Sequence, residues 1–117
     1  MKDNIVQKKS FDFALKIIQL YKKLVLQKKE FVLAKQILRC GTSIGANVEE
    51  AIGGQSRKDF FMKITVAYKE ARETHYWLRL LMQSGLISDL GGQQLLFDCD
   101  ELLRIICTIQ KTTKLNS

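Results

Sequence analysis

Apolar residues recur at helical spacing along nearly the whole chain, and three stop signals divide the pattern into four segments. The first, about residues 10–27, opens on Ser10 as a capping residue. It carries two adjacent apolar rows, Phe13, Ile17, Leu20, Leu24 and Ala14, Ile18, Tyr21, Val25, with Phe11 also assigned to the core face. Asp12, Lys16, Gln19 and Lys23 lie opposite. After the charged turn LQKKE, a second segment over 30–52 places Phe31, Ala34, Ile37, Leu38, Ile44, Val48, Ala51 and Ile52 on one side, and Gly53-Gly54 ends it. Ser56, with Asp59 three residues on, caps a third helix over 56–84. Its broad core face runs through Phe60, Phe61, Ile64, Ala67, Tyr68, Ala71, Thr74, His75, Leu78, Leu81 and Met82, and Gly85 supplies a left-handed stop. Ser88 starts a fourth, over 88–111, with Leu95, Cys99, Leu102, Ile106 and Ile109 inward. Four such helices joined by short turns predict one domain. The fold expected is all-α, an up-down antiparallel four-helix bundle roughly 30 to 40 Å long.

Two features exceed what a simple amphipathic bundle needs. The third helix also carries Met62, Val66, Tyr76, Trp77 and Leu80 away from its main core stripe. Apolar residues on both sides of a helix mean burial on both sides, which predicts a subunit interface at these five positions. The second helix holds Gly41, Ser43, Gly45 and Asn47 in its interior, where glycine costs about 1 kcal/mol against alanine and serine and asparagine prefer caps. Gly41 and Gly45, with Ala46 beside them, leave a strip with little side chain that admits a neighbouring helix. Ser43, Asn47 and Glu50 share an adjacent stripe. Burial of that stripe predicts a polar network of Arg39, Ser43, Asn47, Glu50 and Glu73, with Arg72 and His75 as further available partners.

Charge changes the picture further. The chain carries a net charge of +7. Residues 1–39 hold ten Lys or Arg against three acids, while the remainder is balanced. A polarised positive face suits a polyanion. The expected nucleic-acid contacts are Lys8, Lys9, Lys16, Lys22, Lys23, Lys28 and Lys29. Lys9, Lys16 and Lys23 repeat every seven residues, and so are expected to form a line facing solvent. The same lysines also suit a protein-only scaffold, in which they keep an apolar oligomer soluble.

Dedicated chemistry is not signalled. The three cysteines, Cys40, Cys99 and Cys107, form no C-x-x-C pair and read as buried reduced thiols. His75 is the lone histidine and cannot be built into a triad, and Glu50 with Glu73 lacks the Glu-x-x-His pattern of a di-metal bundle. The Gly53–Lys58 helix start lacks phosphate-loop spacing. No catalytic residue, metal or cofactor is expected. The N-terminus lacks a signal-peptide apolar run and no stretch approaches about 20 apolar residues, so a cytoplasmic protein without membrane contact is expected.

The run Gln36-I-L-Arg39-C-G-T-Ser43-Ile44-G-A-Asn47-Val48-E-Glu50-A, then Ser56-R-K-D-Phe60, Glu73 and Gly85-L-I-Ser88, resembles the family of proteins encoded in 23S ribosomal RNA intervening sequences. That family includes the accessory variability determinant (Avd) of diversity-generating retroelements. The resemblance covers nearly the whole chain. It implies a bundle assembling as a ring or barrel, a homopentamer, without catalysis. In the retroelement branch it implies a basic platform for a reverse transcriptase and for RNA or DNA. The sequence departs from the family pattern at Ser88-Asp-Leu-Gly91-Gly92, which replaces a Glu-rich first turn, and the two glycines are expected to fray that turn.

Overall fold

A computed structural model describes residues 2–115. Four helices follow in order, α1 Lys2–Leu26, α2 Val32–Ile52, α3 Arg57–Gln83 and α4 Asp89–Leu115. They form an antiparallel bundle of 46 × 21 × 20 Å. Each helix packs on its two neighbours, so α1 stands diagonally from α3 and α2 from α4. The core is drawn from the predicted stripes, Phe13, Ile17 and Leu24 from α1, Ile37, Ile44 and Val48 from α2, Ile64, Leu78 and Leu81 from α3, Cys99, Leu102 and Ile106 from α4, whereas Phe31 and Ile52, at the two ends of the second predicted segment, are exposed.

The helix ends follow local chemistry. Ser56 caps α3 by accepting the Asp59 amide at 3.1 Å. At the other end Gly85 adopts φ +78°. Its amide donates to the Met82 carbonyl at 3.0 Å and the next amide, Leu86, to the Leu81 carbonyl at 3.0 Å, the paired closure that a left-handed residue permits. The turn after α1 uses Lys29 at φ 55°, a conformation in which glycine is cheaper.

Several predicted boundaries and placements need correction. α1 begins at Lys2, well before Ser10, because Val6 lies one heptad ahead of Phe13 and is itself buried. Ser10 is therefore no cap. It is 1% exposed in mid-helix, and its hydroxyl donates to the Gln7 carbonyl at 3.2 Å. Phe11 is 61% exposed and off the core face. Two residues turn a helix by about 200°, so the phase set by Phe13 points Phe11 outward. α4 keeps both glycines within its first turn, unfrayed in the structure: Ser88 Oγ accepts the Gly91 amide at 3.1 Å, and Gly92 donates to the Ser88 carbonyl at 2.9 Å. Gly92 lets Met82 lie against the α4 backbone: a Cβ there would be 2.3 Å from Met82 Cγ, and the Met82 side chain would have to move.

Gly41 and Gly45 do admit a neighbouring helix, and it is α1. A Cβ on Gly41 would stand 2.8 Å from Ile17 Cγ1, and one on Gly45 would stand 3.3 Å from the Ser10 carbonyl oxygen. Cys40 and Cys99 are buried and Cys107 is half-buried. Burial pushes the Cys40 thiol up to about 11 and the Cys99 thiol up to about 12. Among the described residues no helix is long and apolar enough to cross a membrane.

Gly41→Ala therefore lowers stability by roughly 1–3 kcal/mol despite its better helix propensity. In an Ile17→Ala background the cost shrinks, because the branched side chain it strikes is gone; a double-mutant cycle by urea unfolding checks the coupling. The cysteines give a pH signature. Their folded pKa values lie above the ordinary 9.0, so their stabilising contribution is intact below pH 9 and declines as pH rises toward about 11. Unfolding midpoints in that window fall less in the Cys40→Ala, Cys99→Ala double variant than in the wild type.

Candidate nucleic-acid interface

The lysines of α1 divide into two groups that the sequence does not distinguish. Lys8 pairs with Asp12 on its own helix at 2.9 Å. Lys9 reaches Glu101 at 3.3 Å and Lys16 reaches Asp98 at 2.7 Å, both across the seam to α4. The expected solvent-facing line of Lys9, Lys16 and Lys23 is thus mostly a seam, because these positions lie on the flank of α1 turned toward α4. Lys22, Lys23, Lys28 and Lys29 differ. All four are exposed, and none has an ion pair among the described residues. They crowd the last turn of α1 and the following turn, so four unpaired cations stand together at one end of the bundle.

Beside that end lies a cleft of about 510 Å³ between α1 and the α3–α4 turn. Lys23, Lys28, Gln19 and Gln27 form its rim, and Leu20, Leu24, Ile87 and Leu95 its floor. Lys16, already tied to Asp98, borders it, and no carboxylate lines it.

The predicted polar network is present in pieces. Arg39 bridges Glu70 at 3.4 Å and Glu73, and Glu73 also accepts the Trp77 indole N–H at 3.0 Å. Desolvation works against the Arg39 charge, but the carboxylates of Glu73 and Glu70 outweigh it and raise the guanidinium pKa. Ser43 and Asn47 do not join this hub. The Ser43 hydroxyl donates to the Arg39 carbonyl at 2.6 Å, and the Asn47 amide to the Ser43 carbonyl at 2.8 Å, both one turn back on their own helix. Glu50 is exposed and pairs with Lys63 at 2.7 Å. The stripe is half-exposed rather than buried, since Gly41 and Gly45 turn the neighbouring face of α2 toward α1. Glu70 is a partner that periodicity could have supplied, one helical turn before Glu73 on α3. His75 faces α4 instead: Nε2 meets Asp100 at 3.1 Å, and Nδ1 accepts from Arg79 Nε at 3.1 Å.

Of the five interface positions, Met62, Val66, Tyr76 and Leu80 are exposed, Met62 at 57%. Trp77 is not: it packs against the core, with its indole held by Glu73 over the α2–α3 seam. Tyr76 meets Trp77 edge to face, ring centroids 5.3 Å apart, and Arg79 lies over its ring. Phe11, expected on the core face, is exposed on α1, as are Leu15 on α1 and Leu90 and Phe97 on α4, to which helical pattern alone assigns no role. Among the described residues no group of three or more His, Cys, Asp or Glu is placed to hold a metal.

Known proteins place this arrangement. No curated protein matches the chain. A crystal structure of a protein of unknown function from the S23 ribosomal protein family of Bacteroides thetaiotaomicron is similar over 95% of this chain and 99% of its own, with 50% identity and a TM-score of 0.93. Residues 2–108 match the family described as 23S rRNA-intervening sequence protein. With four helices in the same arrangement and that match over nearly its whole length, the chain belongs to the 23S rRNA-intervening sequence protein family.

Proposed function

We propose that the protein is a non-catalytic, nucleic-acid-associated adaptor working as a homo-oligomer, with the end of α1 as its contact to the phosphate backbone. The observation that carries this reading is the cluster Lys22, Lys23, Lys28 and Lys29, exposed and without acidic partners. Lys29 adds weight. A cation sits there in a backbone conformation where glycine is cheaper, and a local rule broken in this way marks functional sites. Lysine contacts to phosphate are insensitive to base identity, so the expected ligand is RNA or DNA with little sequence preference. The retroelement resemblance adds a reverse transcriptase as a protein partner, and the intracellular setting of such a partner makes the cytoplasm the expected location.

Assembly follows from the apolar surface. Met62, Val66 and Leu80, with Tyr76 at the edge, form one exposed stripe on α3, and Phe11 and Leu15 form another on the diagonal helix α1. Two different apolar patches on opposite sides suit head-to-tail contacts, which close into a ring. A pentamer fits the family resemblance, and it would repeat each basic end five times. A protein-only scaffold is the second reading, favoured by Leu90 and Phe97, which are 84% and 65% exposed on α4 and belong to neither stripe.

Sedimentation tests the assembly: the wild type at micromolar concentration runs as an oligomer, and Met62→Glu with Leu80→Glu runs as a monomer of unchanged helicity. A wild-type monomer would reject the ring. Fluorescence anisotropy tests the ligand. Changing Lys22, Lys23, Lys28 and Lys29 to Glu abolishes binding to RNA, DNA and their hybrid, whereas Lys9→Gln with Lys16→Gln costs at most about 1 kcal/mol of stability per pair and leaves much of the affinity. Wild-type affinity falls steeply with salt as counterions are released. If the wild type binds none of the three at about 50 mM salt, the scaffold reading replaces this one.

A further inference from the structure

We infer that the cleft beside the free lysines seats one unpaired nucleotide of a single strand, its base on the apolar floor and its phosphates on the rim. The inference rests on the nucleic-acid reading above and names the form of the ligand. A bare lysine track needs no concavity, yet here the unpaired cations Lys23 and Lys28 border a cleft of about 510 Å³, within the range of about 300–1,000 Å³ typical of small-molecule sites. Its floor, Leu20, Leu24, Ile87 and Leu95, offers no group to a phosphate, whereas a flat base can cover it. The occupant that fits is an anion with an apolar, planar body. Gln19 and Gln27 add amide donors and acceptors, which can meet base edges without selecting one base. The absence of carboxylates from the lining leaves the anion unopposed.

The packing of α4 keeps the space open. Gly92 lies so close to Met82 that a Cβ would stand 2.3 Å from its Cγ, which seats the first turn of α4 tightly against α3. Gly91, on the cleft side, projects no side chain into it. A base held in a duplex cannot leave its stack without an unpairing cost, so the cleft favours single strands.

The test compares a short single-stranded DNA oligonucleotide with an abasic strand of equal length and charge and with the corresponding duplex, by anisotropy at about 50 mM salt. The intact strand binds the wild type at least about fivefold more tightly than the abasic strand, which burial of roughly 40 Å² of apolar base surface on the aliphatic floor supplies. Gly91→Leu, which fills the cleft, removes that preference while leaving abasic-strand affinity and salt dependence unchanged. Circular dichroism confirms that the variant folds. Gln19→Glu with Gln27→Glu, surface changes on α1 and in the turn after it, provides an independent second variant, and it lowers affinity for the intact strand more than for the duplex. Equal binding of intact and abasic strands by the wild type, or a preference untouched in folded Gly91→Leu, overturns the cleft assignment and leaves the lysine contact standing. Loss of all binding by the wild type removes both.

Discussion

The close approach of α1 to α2 is the constraint on which the rest of the bundle depends. Two glycines on α2 make room for it: Ile17 would meet a Cβ on Gly41 at under 3 Å, and the Ser10 backbone would crowd one on Gly45 at 3.3 Å. Dispersion gained over this contact offsets the helix propensity that two interior glycines forfeit. It also fixes the rotation of both helices. With Ile17 and Ser10 turned toward α2, the opposite flank of α1 must present Lys9, Lys16 and Lys23 to α4, and the Ser43–Asn47–Glu50 side of α2 must lie toward α3.

The remaining seams follow from that rotation. α1 and α4 make the sparsest contact of the four neighbouring pairs, and two half-exposed ion pairs, Lys9–Glu101 and Lys16–Asp98, span it. Such pairs add little stability in water, but they specify which face of α4 meets α1. Beyond Lys16 no further acid continues the series on α4, and the seam opens into the cleft. The positive charge that is neutralised along the helix is therefore released at its end. A chain whose lysines were all paired would present no such end.

Much of this was legible in the sequence. Helix number, the α3 cap at Ser56, the left-handed Gly85 and most of the core stripe follow from spacing and turn chemistry alone, because these are local rules. The start of α1 was missed because Ser10 imitates a cap, although Val6 already extended the apolar row. Phe11 is legible as outward, since the phase set by Phe13 turns it away from the core, but the flank toward which Trp77 folds is not. A single aromatic side chain can fold along a helix toward either flank, and only the neighbouring helix decides which. The seven lysines are legible as a group and the local Lys8–Asp12 pair with them, but the pairing of Lys9 and Lys16 depends on Glu101 and Asp98, some eighty to ninety residues away in the chain. The cleft was illegible, since it is made by the shape of a turn and by the lack of a side chain at Gly91.

The polar residues of α2 show how a local pattern can be read correctly as unusual and still be given the wrong cause. Ser43 and Asn47 satisfy themselves on carbonyls one turn back, so they join no other helix to α2. Specificity between α2 and α3 rests instead on the groups that cross the seam, the Glu50–Lys63 pair and the hub of Arg39 with Glu70, Glu73 and the Trp77 indole. Steric fit at the glycines sets how close the helices come, and these charged groups select the register at which α2 and α3 meet. The two devices act on opposite flanks of α2. Together they leave the outward faces of α1 and α3 free of structural duty, and those are the faces on which Phe11, Leu15, Met62 and Leu80 stand exposed.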